Sequence, residues 1–170
     1  MSMDRDGAAS NLEWLEQIRK GAAQPPPVYT LLGIQVVDFA PGSATVRLVA
    51  HPRLGNPAGA VHGGVLATAL DVAMALAVDT ELTDGGHART VDMSVRFLDA
   101  SPANAASLLA IGKVLSMRSR LAFADATIRT DSGVLLATSS GVFSVPRSNK
   151  ASRLASRSPV VSLDNSLKSE

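Results

Sequence analysis

The sequence predicts an α+β domain in which one curled antiparallel sheet wraps around a single central apolar helix. Three observations carry that prediction. Residues Gly63–Val78 are apolar on every side except at Thr68 and Asp71, and a helix without a polar face has to be buried on most sides. Segments on either flank alternate with a period of two, the pattern of strands with one buried face. The breaks between the later segments are short, so neighbouring strands pair antiparallel. A chain of 170 residues is enough for one domain with a real core. A sheet curled around the helix is then the simplest architecture that buries it.

Taken in order, the first nine residues are small and polar and are expected to be disordered. Ser10-Asn11-Leu12-Glu13 has the form of a capping box, in which the serine hydroxyl and the glutamate carboxylate satisfy each other's backbone NH groups. Leu12, Leu15 and Ile18 follow at helical spacing, and Gly21 is placed to end the helix. Pro25-Pro26-Pro27 then predicts an extended connector. From Leu31 the period changes to two, and Pro41-Gly42 makes the turn of a hairpin between Ile34–Ala40 and Ser43–Ala50. A Gly/Pro-rich loop, His51 to Val61, leads into the apolar helix.

Beyond the helix, Val91, Met93, Val95 and Phe97 alternate with Thr90, Asp92, Ser94 and Arg96, a strand whose strict alternation puts Thr90 on the polar face. Three further β-rich segments run near Ala105–Ser116, Leu121–Arg129 and Val134–Val145. Arg118-Ser119-Arg120 and Asp131-Ser132-Gly133 separate them. The expected organisation is one domain over residues 10–146. Residues 147–170, with seven serines and Arg147, Lys150, Arg153, Arg157 and Lys168, form a basic tail. Its composition reads as flexible, or alternatively as a basic arm beside a phosphate-bearing ligand.

Composition narrows the function. Sixteen basic and fifteen acidic residues leave a net charge of +1, no general attraction for nucleic acid or an anionic membrane. Cysteine is absent, which excludes disulfides, thiol nucleophiles and cysteine metal sites. No glycine-rich phosphate loop, zinc-ligand cluster or Gly-x-Ser-x-Gly elbow occurs. No apolar stretch has the length of a signal peptide or a membrane span. The expectation is a cytoplasmic protein that uses no metal.

The chemistry concentrates in Asn56-Pro57-Ala58-Gly59-Ala60-Val61-His62-Gly63-Gly64 and the helix that follows. Gly63 and Gly64 open that helix, where the first NH groups lack intrahelical partners and sit at the positive end of the dipole. Without a Cβ, a ligand's carbonyl can approach such an NH closely, and a free NH aimed at a developing oxyanion is what acyl transfer needs. His62 and Asn56 can each donate to or orient a carbonyl group; a turn role for Asn56 and a helix-terminal role for His62 fit equally well. Asp71 is the only charged residue between Gly63 and Val78. Burying a lone carboxylate costs several kcal/mol, roughly, unless it is partnered or put to use. Asp71 is therefore either one half of a salt bridge or a functional group.

Asn-x-x-Gly-x-x-His-Gly-Gly (Asn56, Gly59, His62, Gly63, Gly64), with an acid eight residues after the first glycine of the pair (Asp71), resembles the PaaI-like branch of the hotdog-fold thioesterases. The strand Thr90–Phe97 and the late Asp131–Ala137 fit that pattern too, so the likeness covers roughly residues 30–145. The resemblance implies hydrolysis of an acyl-coenzyme A thioester at a site shared between two subunits, with coenzyme A as part of the substrate and no separate cofactor. It implies that the Gly63 NH polarises the thioester carbonyl, that Asn56 and His62 support substrate and water, and that Asp71 arrives from the partner subunit as general base or nucleophile. Thr90 aligns with a hydroxyl residue that helps position the water, and Gly64 and Thr68 complete the substrate-binding set. Relatives often carry a glycine and a basic residue at the turn between the fourth and fifth strands; here Met117-Arg118-Ser119-Arg120 has no glycine. Arg118 and Arg120 could still take coenzyme A phosphates. The implied assembly is at least a dimer and, beyond that, a tetramer. Two other readings compete: a hotdog enoyl-thioester hydratase or dehydratase, and a non-catalytic acyl-CoA-binding protein.

Overall fold

The structure, a computed structural model, describes residues 10–83, 86–101, 103–104 and 107–146. The expected disordered N-terminus and the basic tail at 147–170 lie outside the described residues. The elements are α1 (Asn11–Arg19), α2 (Pro27–Leu32), β1 (Ile34–Ala40), β2 (Ser43–Leu48), α3 (Gly63–Asp79), β3 (Arg89–Phe97), β4 (Leu108–Met117), β5 (Leu121–Thr130) and β6 (Leu135–Ser144).

Helix α1 starts where its capping box predicts: Ser10 Oγ accepts from the Glu13 NH at 3.3 Å, and a Glu13 carboxylate oxygen accepts from the Ser10 NH at 2.8 Å. The proline run does not lead into an extended connector. Pro27 is the first residue of α2, the one helical position where a missing NH costs nothing and a fixed φ helps. Gly33 closes that helix at φ 70°, a left-handed conformation that favours glycine.

The six strands of the described residues form one antiparallel sheet in the order β1-β2-β4-β5-β6-β3. Helix α3 lies against the concave face, with Leu70, Ala73, Met74 and Ala77 fully buried. This is the hotdog arrangement. At Gly112 on β4 a Cβ would come within 2.2 Å of the Ala73 carbonyl oxygen, so helix and sheet touch backbone to backbone there and only glycine fits. Among the described residues, no helix is long and apolar enough to cross a membrane.

Two features of the sheet bear on the site. Among the described residues strand β3 is an edge, paired with β6 alone, and it leaves Val91 and Phe97 more than half exposed. The β3–β6 register also steps between Thr90 and Asp92. Thr90 is opposite the buried Phe143, while Asp92 is opposite Val142 on the convex face. The step leaves Val91 as the extra residue of a β-bulge. Thr90 therefore shares the concave face with Met93 and Val95, not the polar face that strict alternation assigns it.

Candidate active site

The loop before α3 is built around Asn56. Its Oδ1 accepts from the NH groups of Ala58 (2.9 Å) and Ala60 (3.1 Å), while its own NH donates to the Ala60 carbonyl at 2.7 Å. The turn role is thus real: the amide oxygen holds the loop together, and Nδ2 is the end left to donate. Gly59, at φ 75°, lets this tight loop close.

His62 is the N-cap of α3. Its Nδ1 accepts from the Gly64 NH at 3.0 Å, which leaves Nε2 to carry the proton of the neutral ring. The His62 carbonyl accepts from the Val65 and Leu66 NH groups. Of the helix's first NH groups, the one left without an acceptor among the described residues is that of Gly63. The glycine pair therefore divides its work. Gly64 spends its NH on the histidine, and Gly63 keeps its own for a ligand. The Phe97 ring lies over Gly63, where an added Cβ would meet it at 3.2 Å. Thr68 is one turn further along, its hydroxyl donating to the Gly64 carbonyl at 2.9 Å.

Asp71 is half-buried in the protomer, less enclosed than its apolar neighbours on the helix suggest. Its Oδ1 accepts a 2.7 Å hydrogen bond from Thr90 Oγ1, made possible by the bulge at Val91. Among the described residues it has no cationic partner, so the salt-bridge alternative finds no support there. Gly63 and Asp71 are eight residues apart, about 12 Å along the helix axis. One carbonyl cannot touch both groups of the same chain.

Arg118 and Arg120 are exposed in the β4–β5 turn. Through the registers Leu121–Ser144 and Ser144–Arg89, that turn is at the same end of the sheet as Thr90. No hydrogen bond joins either arginine's side chain to the Asp71–Thr90 pair among the described residues. No group of three or more potential metal ligands occurs there either.

Sequence reasoning missed Asp79, the last residue of α3. It is 4% exposed, and burial pushes its carboxyl above the usual carboxylate range, against the pull of the Ala88 NH and then of His87. A carboxylate at the negative end of a helix dipole is unfavourable, and that misplacement was the available signal. Phe97 was read as a strand residue only; its place against Gly63 depends on the tertiary fold.

Comparison with known proteins places the chain in a family. The thioesterase superfamily matches residues 58–137, the stretch from the Asn56 loop through α3 and β3 into β6. A Halobacterium salinarum protein described as a candidate esterase is 32% identical over 106 residues, 59% of this chain and 68% of that protein. A candidate thioesterase related to phenylacetic acid degradation, from Ralstonia eutropha JMP134, superposes with a TM-score of 0.70 at 26% identity, over 78% of this chain and 99% of that one. The E. coli PaaI protein shares the fold with a TM-score of 0.70 at 21% identity, over 79% of this chain and 94% of that one. The curled sheet around α3 agrees with these structural matches, and the chain belongs to the thioesterase superfamily.

Proposed function

We propose that the protein is an acyl-CoA thioesterase whose active site forms between two copies of the chain. The observation that carries this reading is the separation of two unspent groups on one helix. A free NH at Gly63 suits the oxyanion of a tetrahedral intermediate, and the Thr90-supported carboxylate of Asp71 suits a base or nucleophile. At about 12 Å apart in one chain, they meet on one thioester carbonyl only if Asp71 comes from a second copy. The exposed edge of β3, with Val91 and Phe97 open to solvent, supports that pairing, since a long strand edge offers free backbone groups to a second chain. In this mechanism His62 donates through Nε2 and Asn56 through Nδ2 to substrate or water, and the Thr90 hydroxyl orients the carboxylate. Arg118 and Arg120 are available to the coenzyme A phosphates, and coenzyme A leaves as the thiol. The working unit is at least a dimer.

The test is thiol release across short-chain, long-chain and aromatic acyl-CoAs, followed by subunit complementation. Gly63→Pro removes the NH and suits the first helical position; His62 already has the extended backbone, ψ 133°, that a following proline requires. The exposed Phe97 ring has to shift by a few tenths of an ångström, roughly, to admit the new Cβ. Gly63→Pro and Asp71→Asn homo-oligomers are each expected to lose at least two orders of magnitude in kcat. Mixed by refolding, they form hybrid dimers with one intact site in two, so activity returns to about a quarter of wild type. A mixture as inactive as its parents sinks the shared site. Hydration of an enoyl-CoA without thiol release would favour the hydratase instead.

A further inference from the structure

The far end of α3 holds a second, buried polar cluster. Asp79 Oδ1 accepts from the Ala88 NH at 2.6 Å, and Oδ2 meets His87 Nδ1 at 2.7 Å. The Asp79 carbonyl accepts from Asn11 Nδ2 at 2.9 Å, and the same amide donates to the Gly86 carbonyl at 2.8 Å. The Trp14 ring stands 5.1 Å from that of His87. Helix α1, the end of α3 and the start of β3 are thus pinned at one point.

Two residues beyond Ala88 comes Thr90, whose hydroxyl bonds Asp71. Helix α3 therefore grips the start of β3 twice, through carboxylates about 12 Å apart along its axis. Extended chain from Ala88 to Thr90 covers at most about 7 Å, so the side chains must span the difference and little slack is left. In the ladder Arg89 and Thr90 pair with Ser144 and Phe143, but the register step at Val91 separates this short pair from the rest of β3, so the Asp79–Ala88 bond is its anchor on the upstream side.

We propose that Asp79 is a positioning residue, setting through the Ala88 NH where Thr90 stands against Asp71. The proposal rests on the reading of Asp71 as the reacting acid. Small displacements of a catalytic group are costly because reaction needs a near-attack geometry, while substrate binding at Gly63 is untouched. The effect therefore falls on kcat and spares KM.

A double-mutant cycle with Thr90→Val tests it, because a residue that acts through Thr90 has nothing left to act on once the hydroxyl is gone. Asp79→Ala is expected to lower kcat about tenfold with KM within about twofold, but to cost less than about twofold more in the Thr90→Val background. Asp79→Asn keeps an oxygen for the Ala88 NH and should restore most of the activity. If Asp79→Ala does not fold, Asp79→Glu, with the same charge and a longer reach, takes its place with the same expectation. Amide exchange followed by mass spectrometry gives a readout free of activity: the clamp predicts faster exchange across 88–93 in Asp79→Ala, with β4 and β5 unchanged. Equal kcat losses in both backgrounds, or unchanged exchange at 88–93, overturn the proposal. A wild-type protein that releases no thiol overturns the functional reading instead, and the exchange result still stands.

Discussion

Asp71 and Asp79 are the two acids of one apolar helix, eight residues apart, and their surroundings are opposite. Asp71 is half-buried and accepts one bond, from the Thr90 hydroxyl. Asp79 is buried and engaged on both oxygens, by a backbone NH and by His87. A carboxylate with lone pairs to spare can take up a proton or attack a carbonyl. One whose oxygens are both occupied can only hold the chain in place. On the proposed mechanism, the comparison teaches that burial alone does not mark the reacting acid; the unspent valence does.

The largest expected effect breaks the pair at Asp71. Asp71→Asn keeps the shape and removes the charge, so kcat should fall by about two orders of magnitude or more, within the range general acid–base catalysis supplies. Binding of a non-hydrolysable CoA analogue should survive, because the Gly63 NH is untouched. A half-buried side chain with one hydroxyl partner contributes little to folding, so stability should stay within about 0.5 kcal/mol. Turnover and melting temperature measured on one preparation decide the matter. Near wild-type turnover removes Asp71 from the mechanism, and a collapse of melting temperature assigns it to structure.

A smaller effect sharpens the comparison from the other side of the bond. Thr90→Val is close to isosteric and deletes only the hydroxyl. We expect kcat to drop about tenfold, the scale of one lost positioning contact, with KM and melting temperature nearly constant. A rise in KM with kcat intact would make Thr90 a substrate contact and leave Asp71 without support.

How far this was legible from the chain follows from the same residues. The apolar α3 and the alternating strands could be read because their periods are imposed by burial, which each residue reports locally. The Asn56–Asp71 stretch could be read because a helix N-terminus, its cap and its glycines are neighbours in sequence. Three things could not. A proline run says where a helix cannot continue, yet Pro27 starts one, since the first turn needs no NH from it. The alternation that placed Thr90 outward fails at a one-residue bulge, a property of the β3–β6 pairing and not of β3 alone. Asp79 was passed over because its partners, Ala88 and His87, are brought to it by the turn of the chain after α3, and the carboxylate's burial depends on α1 as well.

The smallest effect concerns stability and tests the other half of the comparison. Burial raises the Asp79 carboxyl above its ordinary value, and the Ala88 NH and then His87 pull against it. A carboxyl that is harder to ionise folded than unfolded binds its proton more tightly in the native state. Stability then falls as pH rises from the ordinary carboxylate range through the raised value, and is flat above it. Asp79→Asn does not titrate there and keeps an acceptor for the Ala88 NH. The variant and wild type should melt together at pH below the ordinary carboxylate range. Above it the variant should become the more stable of the two, by a margin that stops growing once Asp79 is fully ionised. Melting curves across that window read the sign directly. If the variant is instead the less stable one near neutral pH, and the gap closes as pH falls, the ion pair with His87 outweighs the cost of burial. Asp79 would then be a stabilising charge, and the contrast with Asp71 would rest on geometry alone.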